Sequence, residues 1–336
     1  MSSLKPLDYE LLKQLTQKFG PSGNEIEVAD FIIKQVKTIA DSVQIDPLGN
    51  LIIRKRGNGT KIMIACHMDE VGIMVTHIDD QGYLYFVPVG GLRGPDLIAK
   101  RIIFKNKRIG VVCRERKKRA EDKSTGKIFI DIGVTSEAEA RSIVTEGDMA
   151  TLVGDFQETE SHIISKALDN RIGCFLALEI FKQIHCESDL FFTFTVQEEV
   201  GARGAKTAAS TIQPDLALII DTTISYDTPN ERNRTSLGHG VAIKVMDRSI
   251  VVSPKIKNWM ADISSQKNIP FQWEIITTGG TDSGPVHLTQ GGIPTGGIAI
   301  PVRYLHTANE IVTKTDMQSA YNLLLELLLN PYKEWQ

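Results

Sequence analysis

Cysteine is scarce in this 336-residue chain: its four thiols, Cys66, Cys113, Cys174 and Cys186, are widely spaced and include no C-x-x-C pair. That excludes a disulfide scaffold and leaves reduced, mostly buried thiols as the expectation. Charge of one sign is also lacking. Lys and Arg number 38 against 41 Asp and Glu, for a net charge of −3, which supplies no general attraction to nucleic acid or anionic lipid. No stretch approaches the ~20 apolar residues of a membrane span. The start, MSSLKPLDYELLKQ, lacks the basic opening and apolar core of a secretory signal. No nucleic-acid partner, no membrane and a cytoplasmic location are the expectations. The chain contains no G-x-S-x-G elbow, P-loop or G-x-G-x-x-G sequence, so serine-hydrolase, NTPase and dinucleotide readings have no support. Internal repeats and low-complexity tracts are absent too.

What is present is an ordinary globular composition, 42% hydrophobic and 24% charged, long enough for two domains or one α/β domain with an insertion. Leu11, Leu12, Leu15 and Phe19 recur at helical spacing before the break at Gly20-Pro21-Ser22-Gly23. Ser22 and Glu25 have capping-box spacing, ahead of a helix carrying Ile26, Ala29, Ile32, Ile33 and Val36 on one face. Val43–Ile45 and Leu51–Arg54 flank a Pro47–Asn50 turn and read as a hairpin. Apolar runs at 61–67, 190–196, 216–220 and 298–300 read as buried strands, and 170–184 and 316–329 as helices. Strands alternating with helices imply an α/β fold: a mixed, largely parallel central sheet flanked by helices.

Residues 70–160 differ. Short alternating segments beginning at Val71, Tyr83, Arg101, Arg108, Lys127 and Met149 are separated by Gly or Asp turns, the pattern of a small inserted all-β, barrel-like domain. The expected division is 1–69 with 161–336 as a discontinuous α/β domain, and 70–160 as an inserted β domain. Within it, Arg114–Lys127 is rich in both charges and lacks aromatics, so it reads as a solvated loop rather than a nucleic-acid patch.

Ligand sites in open α/β sheets lie beyond the carboxyl ends of the strands. There the sequence places His67-Met68-Asp69-Glu70, Gln197-Glu198-Glu199, Asp221 and Arg303-Tyr304-Leu305-His306, while Asp169 opens a helix. Two histidines with several carboxylates form a mixed N/O set suited to Zn, Co or Mn, and one carboxylate can bridge a pair of ions. Read singly, Asp169 is equally a helix cap, Asp221 a turn residue and His306 a satisfied histidine. Adjacent Glu198 and Glu199 repel unless a cation or proton compensates. His77, His162, His185 and His287 read as surface or packing residues, whereas His239 stands in a glycine-flanked loop open to substrate.

Five ordered segments, Cys66–Gly72, Ala167–Gly173, Gln197–Gly201, Gly279–Gly284 and Arg303–Glu310, resemble the tetrahedral aminopeptidases, a family of dinuclear metallopeptidases that includes glutamyl aminopeptidases and endoglucanase-M-like proteins. The resemblance implies that Asp169 bridges two divalent ions, Zn or Co with Mn as a third option, that His67 and Asp221 complete one site, and that Glu199 and His306 complete the other. It implies Glu198 as general base, Asp69 as the carboxylate orienting the His67 imidazole, and Gly280 and Thr281 in the substrate pocket. The implied reaction is removal of N-terminal residues from peptides with a free N-terminus by a two-metal activated water. The implied assembly is a homo-oligomer, from dimer to dodecamer, with 1–69 and 161–336 as the catalytic domain and the 70–160 insertion serving oligomerisation and substrate access. The alternatives are an N-acyl amino acid deacylase or carboxypeptidase of the same superfamily, and a noncatalytic assembly module. Glycoside hydrolysis is disfavoured, because carboxylates that ligate metal cannot readily also flank a sugar bond.

Overall fold

The computed structural model describes residues 7–115, 126–231 and 235–332. Most of the Arg114–Lys127 loop, namely 116–125, therefore lies outside the described residues. Helix α1 (Tyr9–Thr16) starts where the Asp8 carboxylate accepts the Glu10 N–H and buries Leu11, Leu12 and Leu15, each worth ~1.5–3 kcal/mol. Helix α2 (Ile26–Val36) buries Val28, Ala29, Ile32 and Val36, while Ile26 stays exposed. Its expected capping box does not form, since no side chain caps this helix. Ser22 donates instead to the Asp69 carboxylate, a charged acceptor that makes a stronger hydrogen bond, and Glu25 Oε1 accepts the N–H groups of Gly23 and Gln197.

Strands β1 (Ser42–Ile45) and β2 (Leu51–Lys55) form the expected hairpin. Its turn is fixed by Asp46, whose Oδ1 accepts the N–H groups of Leu48, Gly49 and Asn50. Strand β3 (Lys61–His67) follows, buried along nearly its whole length. The chain then leaves the sheet for β4 (Gly72–Ile78), β5 (Leu84–Val89), β6 (Arg101–Phe104), β7 (Ile109–Arg114), β8 (Ile128–Asp131), a short α3 (Glu137–Arg141) and β9 (Met149–Leu152). The six strands close an antiparallel barrel in the order β4-β5-β8-β7-β6-β9. Its interior is a hydrophobic cluster of its own that includes Ile73, Val75, Leu84, Phe104, Val112 and Ile130. Closure leaves no free sheet edge.

Beyond the barrel come β10 (Gln157–Glu158), β11 (His162–Ser165), α4 (Leu168–Gln183), β12 (Asp189–Thr195), α5 (Arg203–Ile212), β13 (Leu216–Ile224) and β14 (Val241–Met246). The remaining elements are α6 (Pro254–Gln266), β15 (Phe271–Ile275), α7 (Ser283–His287), β16 (Thr295–Val302), β17 (Glu310–Thr313) and α8 (Lys314–Leu329). The main sheet runs β1-β2-β12-β3-β13-β16-β14-β15. Its centre, β12-β3-β13-β16, is all parallel, and antiparallel pairings join the β2 and β14 flanks to it. One face is covered by α1, α2, α4, α6 and α8 over the largest core cluster, the other by α5 and α7 over a smaller one. This is the mixed α/β sheet flanked by helices, with a small closed barrel, that the sequence leads one to expect. Helix α4 is buried on every side, which explains why its sequence shows no clean polar stripe. No helix among the described residues is long and apolar enough to cross a membrane.

Candidate active site

The four parallel central strands all end on one side of the sheet, which is why residues far apart in sequence converge there. β3 ends at His67, β12 leads into Glu198 and Glu199, β16 leads toward His306, and β11 leads through Ala167 to Asp169. Asp221 is the one placed differently from expectation: it lies within β13 rather than after it, because that strand continues to Ile224.

His67 Nε2 stands 3.2 Å from Asp169 Oδ1 and 3.5 Å from Asp221 Oδ1. His306 Nε2 stands 3.2 Å from both Asp169 Oδ2 and Glu199 Oε2. Two donor groups result, His67–Asp169–Asp221 and Asp169–Glu199–His306, each with one N or O atom per residue within 4.8 Å of the others. They share Asp169. Its residue has non-helical φ/ψ inside the first turn of α4, and its carboxylate serves the two imidazoles instead of capping the helix. The set fits a pair of divalent cations on a local observation: Glu199 Oε1 is buried without a hydrogen-bond partner, and Asp169 Oδ1 faces its imidazole outside hydrogen-bond geometry.

Electrostatics of the cluster are correspondingly extreme. Burial works against the His306 imidazolium, yet Asp169 and Glu199 push its pKa up to about 11. Glu198 is raised well above the usual carboxylate range by burial, with Asp221, Asp282 and Glu199 adding repulsion and His67 opposing it. Asp282, buried and hydrogen-bonded by the Thr195 hydroxyl at 2.5 Å, is pushed up to about 7, chiefly by burial.

The loops that carry these groups adopt backbone that residues with a Cβ seldom choose. Ala167, Gln197, Tyr304 and His306 have φ of 52°, 56°, 59° and 61°, each costing ~1–3 kcal/mol unless the surroundings enforce it. Side chains around them do so. Asp69, fully buried, accepts the N–H of Glu198 at 3.0 Å, the N–H of Glu199 at 3.1 Å and the Ser22 hydroxyl at 2.6 Å. Glu25 Oε1 accepts the Gln197 N–H at 3.1 Å. The Asp69 carboxylate is thus mainly a clamp on the Glu198–Glu199 turn. The His67 ring is met through Nδ1 by the backbone carbonyl of Asp69 at 3.1 Å, with the carboxylate farther off at 3.5 Å. The Asp69 carboxylate therefore faces the His67 ring at the outer limit of hydrogen-bond distance while it also accepts from Glu198, Glu199 and Ser22. Burial raises the Asp69 carboxyl, but His67, Ser22 and the Glu198 amide hold it below its ordinary pKa.

Other residues were not legible as site residues. Arg171, buried in full, donates to the carbonyls of Met68, Leu15 and Gly20, tying the end of α1 to the turn after β3. Glu70 joins it to Lys166. From the barrel, the Gly90-Gly91 turn after β5 comes against Glu199 and His306. Only its double glycine hinted at close approach.

The cluster opens into a cavity of about 760 Å³ lined also by Gly280, Thr281, Glu198 and Leu288. Glu274 lines it as well, ion-paired at 2.8 Å with the buried Lys244, which also pairs with Asp247 at 3.0 Å. His239 is not brought to this cavity. It is exposed, in a turn held by Asp316 accepting the N–H groups of Gly238 and Gly240.

Residues 49–323 match the M42 glutamyl aminopeptidase family, and the chain belongs to it. It is 45% identical over 323 residues to a protein of Acetivibrio thermocellus whose name assigns it provisionally to the aminopeptidases, covering 95% of this chain and 98% of that one. A TET aminopeptidase structure from a marine-sediment Thaumarchaeota archaeon superposes with a TM-score of 0.92 at 32% identity, covering 97% of each chain. The Pyrococcus horikoshii TET1 peptidase, described as assembling into a tetrahedron or a large octahedral shell, superposes at 0.85 with 30% identity, covering 96% of this chain and 99% of its own.

Proposed function

We propose that the chain is a two-cation aminopeptidase. His67, Asp169 and Asp221 would hold one ion, Asp169, Glu199 and His306 the other, and Glu198 would act as general base. The observation that carries this reading is the pair of donor groups sharing Asp169 at the mouth of the cavity. Two divalent cations bound there supply Lewis acidity and lower the pKa of water toward neutrality. Glu198 lines the same cavity, and its raised pKa suits a group that takes a proton from the attacking water and returns it to the leaving amine. Asp69 holds Glu198 for that task through the backbone. The carboxylates around the cavity favour a substrate entering with a free, positively charged α-amine, which restricts cleavage to peptide ends.

The same reading covers organisation. Residues 70–160 form an inserted unit and 1–69 with 161–336 the catalytic one. The chain assembles into a homo-oligomer, as the TET relatives do. A cytoplasmic location fits the four unpaired cysteines. Aminoacyl anilides assayed after metal stripping and reconstitution with Zn²⁺, Co²⁺ or Mn²⁺ test the activity. Turnover should vanish with the metal and return with it. Hydrolysis of N-acyl amino acids in preference to free-amine anilides would transfer the chain to the deacylases, and chelator-insensitive turnover would end the two-cation reading.

A further inference from the structure

Glu310 does not line the active-site cavity, yet its carboxylate binds the backbone of two of the three residues of the second donor group. Its Oε1 accepts the His306 N–H at 2.8 Å and its Oε2 accepts the Asp169 N–H at 3.1 Å. The residue is 2% exposed. It opens β17, where it pairs with Ser165 of β11, two positions before Ala167 and four before Asp169. On its other side, Arg303 and Ile311 exchange backbone hydrogen bonds that close the neck of the 303–311 loop. Glu310 therefore sits where two strands feed the loops bearing Asp169 and His306, and its carboxylate spans them. Both loops contain left-handed residues, Ala167 in one and Tyr304 and His306 in the other, so neither conformation is one its own sequence favours.

We propose that Glu310 is a positioning residue: its carboxylate sets the separation of Asp169 and His306, and through it the affinity of the cation site formed by Asp169, Glu199 and His306. The inference rests on the two-cation reading above. The physical ground is that one carboxyl group accepting hydrogen bonds from two backbone amides fixes the relative position of two peptide planes, and residues that orient ligands control metal affinity without touching the ion. The arrangement parallels Asp69, which spans the Glu198 and Glu199 amides. The two buried carboxylates thus hold neighbouring parts of the centre by the same means. Site 1, His67–Asp169–Asp221, depends less on Glu310, because neither His67 nor Asp221 hydrogen-bonds to it.

The test uses the full chain and Zn²⁺ alone, titrated against a chromophoric chelator after metal stripping, for wild type, Glu310→Gln and Glu310→Asp. Glutamine keeps the shape but turns an NH₂ group toward a backbone N–H. Aspartate keeps the charge but falls a methylene short of spanning both loops. Wild type should take up two ions. Both variants should bind one of the two ions with near-wild-type affinity and the other ~10–100-fold more weakly, and in a parallel Co²⁺ titration the visible bands of one equivalent should be altered and those of the other retained. A general loss of packing would weaken both sites together, and that result overturns the proposal. So do variants that bind two ions as wild type does. A wild-type chain that binds a single ion instead overturns the two-cation reading, and this inference with it.

Discussion

A Cβ added to Gly91 would stand 2.5 Å from Nδ1 and 2.7 Å from Cε1 of His306. The barrel turn and the histidine of the main unit approach so closely that no side chain fits between them, and a Cβ on Gly90 would likewise stand 3.1 Å from the Cβ of Glu199. Gly91→Ala should push the imidazole away from Asp169 and Glu199 and lower kcat/KM by about 10²-fold, the usual effect of an ångström-scale misplacement. Steady-state kinetics with an aminoacyl anilide at saturating Zn²⁺ checks it. An unchanged kcat/KM would mean that the barrel merely lies near the site.

Glu198→Gln should keep both ions and lower kcat by at least ~10²-fold, since general-base catalysis contributes 10²–10⁴. Glu199→Gln should lose occupancy at one site. Elemental analysis of the two purified variants separates them, and the opposite pattern would exchange the two roles.

Asp69→Asn should lower kcat more than it weakens metal binding. An amide nitrogen would face one of the amides that the carboxylate now accepts, and the turn carrying Glu198 and Glu199 would shift, while the His67 ring retains the backbone carbonyl of residue 69. Ser22→Ala removes one hydroxyl donor from the same carboxylate and should cost ~1.5–3 kcal/mol of stability with the turn retained. Urea unfolding and Zn²⁺ titration of both variants provide the comparison. A metal-affinity loss in Asp69→Asn that matches its kcat loss would restore the direct carboxylate–imidazole role.

The Asp227 carboxyl is lowered to about 2, first by its bidentate hydrogen bonds from Arg303 at 2.7 Å, which outweigh the upward push of burial, with Ser225 and the Leu237 N–H adding smaller pulls. A carboxylate depressed on folding stabilises the native state above its unfolded pKa, near 3.9, and that stability is lost as pH falls toward the folded value. Wild type should therefore exceed Asp227→Asn in urea midpoint at pH 5, and the gap should close between about pH 4 and 2. A gap independent of pH would show that the ion pair contributes nothing.

The sequence discloses most of the architecture because buried parallel strands are written as apolar runs such as Ile62–Cys66, and barrel strands as short alternating ones. It discloses His67, Glu199 and His306 because each follows such a run. Asp221 was assigned to a strand end only because Thr222 and Thr223 do not look like a buried strand, although both are buried. Ser22 and Glu25 mislead for a physical reason. Capping-box spacing is local, while their actual partners, Asp69 and Gln197, are brought up by tertiary structure. The Asp169 contact of Glu310 and the Lys244–Glu274 pair are invisible for the same reason: each joins separate elements of the fold.

The strand order β12-β3-β13-β16 interleaves early and late parts of the chain. β3 brings His67 between elements made more than a hundred positions later, and β16, which leads to His306, must pair with β13 before the last donor arrives. A partly synthesised chain that has folded only its first strands holds an imidazole and two acids but no bridging pair of sites. On the two-cation reading, a complete centre requires every one of these strands, so hydrolytic capability should be absent until the last donor, His306, has been synthesised and the growing polypeptide should have no working blade to turn on its neighbours at the ribosome.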